Sequence, residues 1–389
     1  MILSFLIIYP LLFSCCLCIK SRKSFIVSYE DLLSRYNTRI KINSTYSFFI
    51  EVDLSINFNW ISDLSIKDTT FIVQFHNTPV QLLQINPHLQ FKYHSFDCSL
   101  TFDTNQTQIP IEMMFVTNRQ TGYFDSIGLG YDDKYNDKSI LNNLKQKGLI
   151  NYSGFGFLKN KSFRYEGELI FGNIPLNYIK NKYYVSFPVV KGKSTWGCII
   201  TSITINNSNI YLVAEQSYAT FSTKHSEIKA PKDIMSIIKT DIFQSYLDNK
   251  ECQMIGSAIY CNNNIVANFP NVTIYVMDYE LNLTAKEMFL NEGRIQRFRI
   301  EENDIDPNSW AFGSVLISKY LVYFDKEKSE IIFYSDEPFS RDERKNRKYN
   351  DNYGNNVDKQ KTICLVLIVV LFSSLVILII NTITNGKHK

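Results

Sequence analysis

The chain has 389 residues, 20% of them charged, and a net charge of +3. So small a charge, carried by scattered basic residues, excludes an electrostatic nucleic-acid binder. The length admits one large or two medium domains with a sizeable core, and the abundant Tyr, Phe, Ile and Val favour strands over helices.

Residues 1–19 are almost wholly apolar and are followed by Lys20-Ser21-Arg22-Lys23. The run has signal-peptide length, with Cys16-x-Cys18 offering small residues for cleavage. This predicts a signal peptide over 1–18, or an uncleaved anchor because the usual positive n-region is missing, then a short N-terminal segment over 19–35, with entry into the secretory pathway on either reading. In the stretch 48–61 an apolar, strand-like run ends in Asp53, and a polar turn leads to Trp60. Asp is a poor strand former and is costly to bury unless paired. Asp53 therefore either caps a tight turn or is an acid held in a cleft, depending on whether a second carboxylate is supplied.

Beyond it the body is rich in short strands with Asn, Gly and Asp turns, for example 167–173 and 272–276. Helical patterns are fewer: 138–147 before Gly148, and 231–247. Residues 338–361 are charged and Asn-rich and read as a stalk. The uncharged stretch that follows has no polar face, which predicts a transmembrane helix over 362–383 and a short tail over 384–389. Lys and Arg are denser before this helix than after it, against the positive-inside rule, but a signal sequence that has already translocated the body overrides that bias.

Of eight cysteines, Cys98, Cys198, Cys252 and Cys261 belong to the body. No C-x-x-C occurs there and histidines are few and dispersed, so no metal site and no cofactor are expected. Cys252 and Cys261 are close enough to close a small loop in an oxidising compartment; the pairing of Cys98 and Cys198 stays open. Glycosylation acceptors fall at Asn43, Asn105, Asn151, Asn160, Asn206, Asn271 and Asn282. No G-x-S-x-G, P-loop or H-E-x-x-H is present.

Five stretches, in collinear order, resemble the pepsin-like (family A1) aspartic proteases. Trp310 to Asp325 is similar to W-I-L-G-D-x-F-x-x-x-Y-x-x-x-F-D without a gap, and Gly167 to Gly172 to G-E-L-x-F-G. Phe124 to Gly130 resembles F-D-G-I-x-G-L-G, one residue shorter, and Tyr184-Val185 with Trp196 resembles the segment that opens the second lobe. Asp53 and Trp60 stand at the separation of D-T-G-S-S-N-L-W. The resemblance implies a mainly β, bilobal fold with short helices: an N-terminal lobe over 36–185, a C-terminal lobe over 186–337, and a cleft to which each lobe brings one aspartate.

The departures bear on activity. Thr-Gly after the first aspartate is Leu54-Ser55. Aligned on Leu212-Val213, the second motif D-T-G-T becomes Ala214-Glu215-Gln216-Ser217, so Ala214 stands at the second aspartate position. The chemistry needs two carboxyls sharing one proton, one to activate water and one to polarise and protonate the substrate. Ser55, Gln216 and Ser217 would crowd such a site, with Trp60 beside it. Tyr93 is the candidate flap tyrosine and reads equally as an ordinary strand aromatic. Glu215 could substitute only if a bulge re-aimed it. The expectation is a membrane-anchored homologue without peptidase activity that binds a peptide or protein in its cleft, with its ectodomain lumenal or extracellular. The alternatives are an active endopeptidase using Asp53 and Glu215, and a structural or adhesion ectodomain.

Overall fold

The computed structural model describes residues 23–349 and 374, except 33–34, 44–45, 56–58, 63–80, 87–88, 104, 118–124, 132–138, 160–165, 192, 194, 206–207 and 213–216. The proposed signal peptide and transmembrane stretch lie outside these residues. Among those described, no helix is long and apolar enough to cross a membrane.

The chain is mainly β, and the reason is visible in its alternation. In the strand Ser24–Leu32, Phe25, Val27 and Tyr29 point inward; in Arg35–Ile42, Tyr36, Thr38, Ile40 and Ile42 do, while Arg39 faces solvent. These strands and Tyr46–Asp53 pair antiparallel in succession. Residues 24–32, read from sequence as part of a short leading segment, are thus a full member of the sheet. A long hairpin, Leu89–Phe102 with Asn105–Thr117, closes over this meander and buries Leu100, Phe102, Ile109, Ile111, Met113 and Phe115.

Six antiparallel strands join the two halves of the chain in the order Tyr183–Pro188, Glu330–Ser335, Leu321–Asp325, Gly154–Lys159, Glu166–Gly172, Ser24–Leu32. Each half contributes its opening strand and its closing hairpin, so the arrangement repeats about the seam between Gly154–Lys159 and Leu321–Asp325. At this seam a Cβ on Gly154 would lie 2.1 Å from the Tyr323 hydroxyl, which donates to the Gly172 carbonyl at 2.8 Å. Trp196 is wholly buried there, donating to the Leu129 carbonyl at 2.6 Å and packing on Phe155 and Phe324, which stack at 4.9 Å.

The C-terminal half adds three smaller sheets. One places Tyr218–Phe221 parallel to Trp310–Phe312. Another is the hairpin Cys252–Ile255 with Ala258–Asn262, whose register sets Cys252 opposite Cys261, and the two are bonded. Cys98 and Cys198 are buried free thiols, each pushed up to about 12 by burial, with Asp97 adding to the rise at Cys98.

The helices are short. Ile140–Gln146 begins after Ser139, whose hydroxyl accepts from Asn142 N at 3.2 Å, and ends before Gly148 at φ +69°. Lys232–Ile237 starts behind Pro231, passes through a π-helical stretch at Ile238–Phe243 and continues to Asp248.

Candidate functional site

The strand Tyr46–Asp53 is central: it pairs with Arg35–Ile42 on one side and runs parallel to Ser126–Gly128 on the other, with Asp53 level with Gly128. Both of its edges are paired, and at its C-terminal end Ile50, Glu51, Val52, Asp53 and Leu54 are all buried, whereas Phe49 is exposed. Asp53 is 2% exposed. Its Oδ1 accepts from Ser55 N at 2.8 Å and from Ser55 Oγ at 2.6 Å, a local Asx-type turn. Its Oδ2 lies 2.8 Å from the Lys224 ammonium, which also donates to Ser55 Oγ at 3.2 Å. A buried carboxylate is tolerated when a cation and hydrogen bonds compensate it, and Asp53 has both.

Lys224 comes from the other half of the chain. Tyr218–Phe221 runs parallel to Trp310–Phe312 with Phe221 level with Phe312, so the next residue, Ser222, comes level with Gly313; its N–H donates to the Phe312 carbonyl at 2.9 Å. Ser222 thus stands in the C-terminal half where Asp53 stands in the N-terminal half. Thr223 follows, wholly buried, and its hydroxyl donates across to the Val52 carbonyl. Lys224 is next, its N–H donating to Ser222 Oγ at 3.2 Å.

The loop is held from behind by Gly313. Gly313 N donates to the Glu227 carbonyl and Ser314 N to the His225 carbonyl, and a Cβ on Gly313 would lie 2.2 and 2.5 Å from those same oxygens. Only glycine allows this approach. His225 Nδ1 donates to the Glu227 carbonyl at 2.9 Å, and burial lowers its affinity for a proton. Glu227 is pushed up by burial, but the Ser226 hydroxyl, its own backbone N–H, Arg297 and Lys229 hold it below the ordinary carboxylate value. Arg297 also pairs with Glu301, and Lys229 reaches Glu301 at 2.9 Å.

Ala214, Glu215 and Gln216 lie outside the described residues. The strand that forms the parallel pair starts beyond them, at Tyr218. Ser217 is buried, and its carbonyl accepts from Ile200 N at 2.8 Å. Trp60 is buried, its indole N–H donating to Ser126 Oγ. Tyr93 is buried on the long strand, level with Gln81 and Val116. Ser222, Thr223 and Lys224 were not singled out by sequence. The signal was present in Ser222-Thr223-Lys224-His225, which keeps the threonine of D-T-G-T in its second place.

The arrangement limits the chemistry. In the family's chemistry two carboxyls share a proton, whereas among the described residues the group that meets Asp53 Oδ2 is the Lys224 ammonium at 2.8 Å. Ser55 Oγ donates to Asp53 Oδ1 at 2.6 Å and accepts from Lys224 Nζ at 3.2 Å, so its hydroxyl proton is directed at the carboxylate and not at the amine.

A mainly β fold with matching strand–loop elements from its two halves is the architecture of the aspartic proteases, in which each half brings an aspartate; here the described residues hold one, Asp53. The family profile described as eukaryotic aspartyl protease matches residues 99–335. The chain belongs to this pepsin-like family. No curated protein matches it.

Proposed function

We propose that this chain is a pepsin-like protein without peptidase activity that uses the cleft around Asp53 to bind a peptide or protein segment. The observation that carries the reading is the Lys224–Asp53 ion pair at 2.8 Å. In this reading Ser222, rather than Ala214, occupies the second acid position. With either residue there the partner carboxyl is missing, and Lys224 fills the space beside Oδ2 that it would need. The inter-half hydrogen bond from Thr223 to Val52 holds the two loops together without the dyad, which supports a cleft kept for binding.

The apolar stretches 1–18 and 362–383 support a secreted ectodomain on a single membrane anchor. Among the described acceptors, Asn43 and Asn271 are exposed, as a glycan requires. Asn282 spends its side-chain oxygen on the Thr273 hydroxyl at 2.6 Å.

The test is retention of a random peptide library on immobilised full-length chain, with sequencing of the retained peptides. The wild type is expected to hold an enriched set intact, and Ser55→Arg, which places a long side chain beside Asp53, to lose it. Recovery of cleaved peptides, or equal retention by the variant, contradicts the reading.

A further inference from the structure

A concave site lined mostly by the C-terminal half, with Lys159 from the N-terminal half, lies apart from the residues that hold Asp53. It is a cavity of about 560 Å³, within the size range of small-molecule sites. It lies between the helix Ala285–Met288, the helix Ser314–Lys319, the strands Phe289–Asn291 and Ile295–Phe298, and the end of Gly154–Lys159. None of the residues that contact Asp53 lines it.

Its lining is cationic: Lys159, Lys286, Arg299 and Lys319 face one carboxylate, Glu287. That carboxylate is committed. Its Oε1 pairs with Lys319 at 2.7 Å, and its Oε2 accepts from Thr284 N and Oγ1 at 2.8 and 2.9 Å as the capping box of the short helix. It is the single carboxylate in a lining that carries four cationic side chains, so the lining keeps a net positive charge. Arg299 is held in place, donating through Nη2 to the Ser226 carbonyl at 2.8 Å and through Nη1 to the Glu287 carbonyl at 3.3 Å, so it meets a ligand pre-oriented. Phe289 and Val315 supply a buried apolar wall, and Gln296 and Ser318 add neutral hydrogen-bonding groups.

We propose that this cavity binds a small soluble phosphate monoester carrying an apolar group. Several cations around one cavity match a dianion better than a monocarboxylate, an arginine held in place suits a tetrahedral oxyanion, and lysines add point charge. The apolar wall gives the ester substituent somewhere to pack.

The test is isothermal titration of the full-length chain in detergent with phenyl phosphate, inorganic phosphate and benzyl alcohol at fixed ionic strength. Phenyl phosphate is expected to saturate one site, with inorganic phosphate about tenfold weaker and benzyl alcohol silent. Added salt should weaken binding. Lys286 is exposed, so Lys286→Glu should fold as the wild type does, and it is expected to weaken phenyl phosphate about tenfold, while Asp53→Ala leaves binding unchanged. Should Lys286→Glu misfold, Lys286→Gln serves, with a smaller loss of the same sign. No saturable heat, equal binding of benzyl alcohol, inorganic phosphate binding as tightly as phenyl phosphate, or an undiminished affinity in the Lys286 variant each overturns the assignment.

Discussion

At the residue scale the molecule turns on one carboxylate and the cation that meets it. Asp53 is buried, whereas the Lys224 side chain keeps 38% of its exposure, so the pair sits at the edge of the interior. Removing the lysine leaves a buried carboxylate with its serine hydrogen bonds alone. Lys224→Met is expected to destabilise by about 1–3 kcal/mol, less than a fully buried pair would lose because water can partly replace the ammonium. Asp53→Asn in the same background should return part of that loss. A double-mutant cycle read by denaturant unfolding is expected to give a coupling of about 1–2 kcal/mol. Additive effects would show that the two groups do not interact.

At the scale of elements, the loop from Ser222 to Glu227 is fixed by backbone contacts with Gly313 and by the charged groups behind it. Gly313→Ala forces a methyl against two carbonyl oxygens and is expected to cost about 2–3 kcal/mol, measured by thermal or denaturant unfolding. His225 gives the loop a pH dependence. Burial, against the raising influence of Glu227 and Glu301, sets its folded pKa below the ordinary 6.5, with Lys229 acting in the same direction as burial. The unfolded chain therefore binds the proton first. Stability from this group is complete above pH 6.5 and is lost as the pH falls toward the folded value. Glu227, held low, adds stability that is present above 4.5 and lost below it. Asp325, raised by burial, works the other way: its contribution is present below 3.8 and lost as pH rises through its folded value. Melting curves should thus shift down between about pH 7.5 and 5.5, where His225 dominates, and His225→Gln should flatten that shift. The disulfide Cys252–Cys261 closes one hairpin, and Cys252→Ser with Cys261→Ser is expected to cost about 2–3 kcal/mol on the same measurement.

At the scale of the whole molecule, much of the β architecture was legible because it rests on side-chain alternation and on glycines that the packing demands. The run Gly167 to Gly172 falls within the strand Glu166–Gly172, and the run Trp310 to Asp325 resolves into strand, helix and strand. Helix limits shifted for local reasons: Ser139 caps rather than joins the first helix, and Pro231 precedes the one it was expected to open. Asp53 was legible because a carboxylate at the end of an apolar strand requires compensation. Its partner was not, since a lysine on a distant loop leaves no periodic trace. The aliphatic pair Leu212-Val213 offers one anchor for the second motif, and the parallel register with Trp310–Phe312 brings forward another at Ser222, where the sequence alone keeps just the motif's threonine, Thr223.

We propose, as the central claim, that Lys224 holds Asp53 as half of an ion pair, so that the family's peptidase chemistry is absent. It is tested most directly by assaying full-length wild type and Asp53→Ala against a diverse peptide mixture between about pH 3.5 and 6.5, where carboxyl pairs titrate. The fold should be checked by circular dichroism at each pH. The expected result is no cleavage by either protein at any pH at which both remain folded. Cleavage by the wild type that Asp53→Ala abolishes would contradict the account.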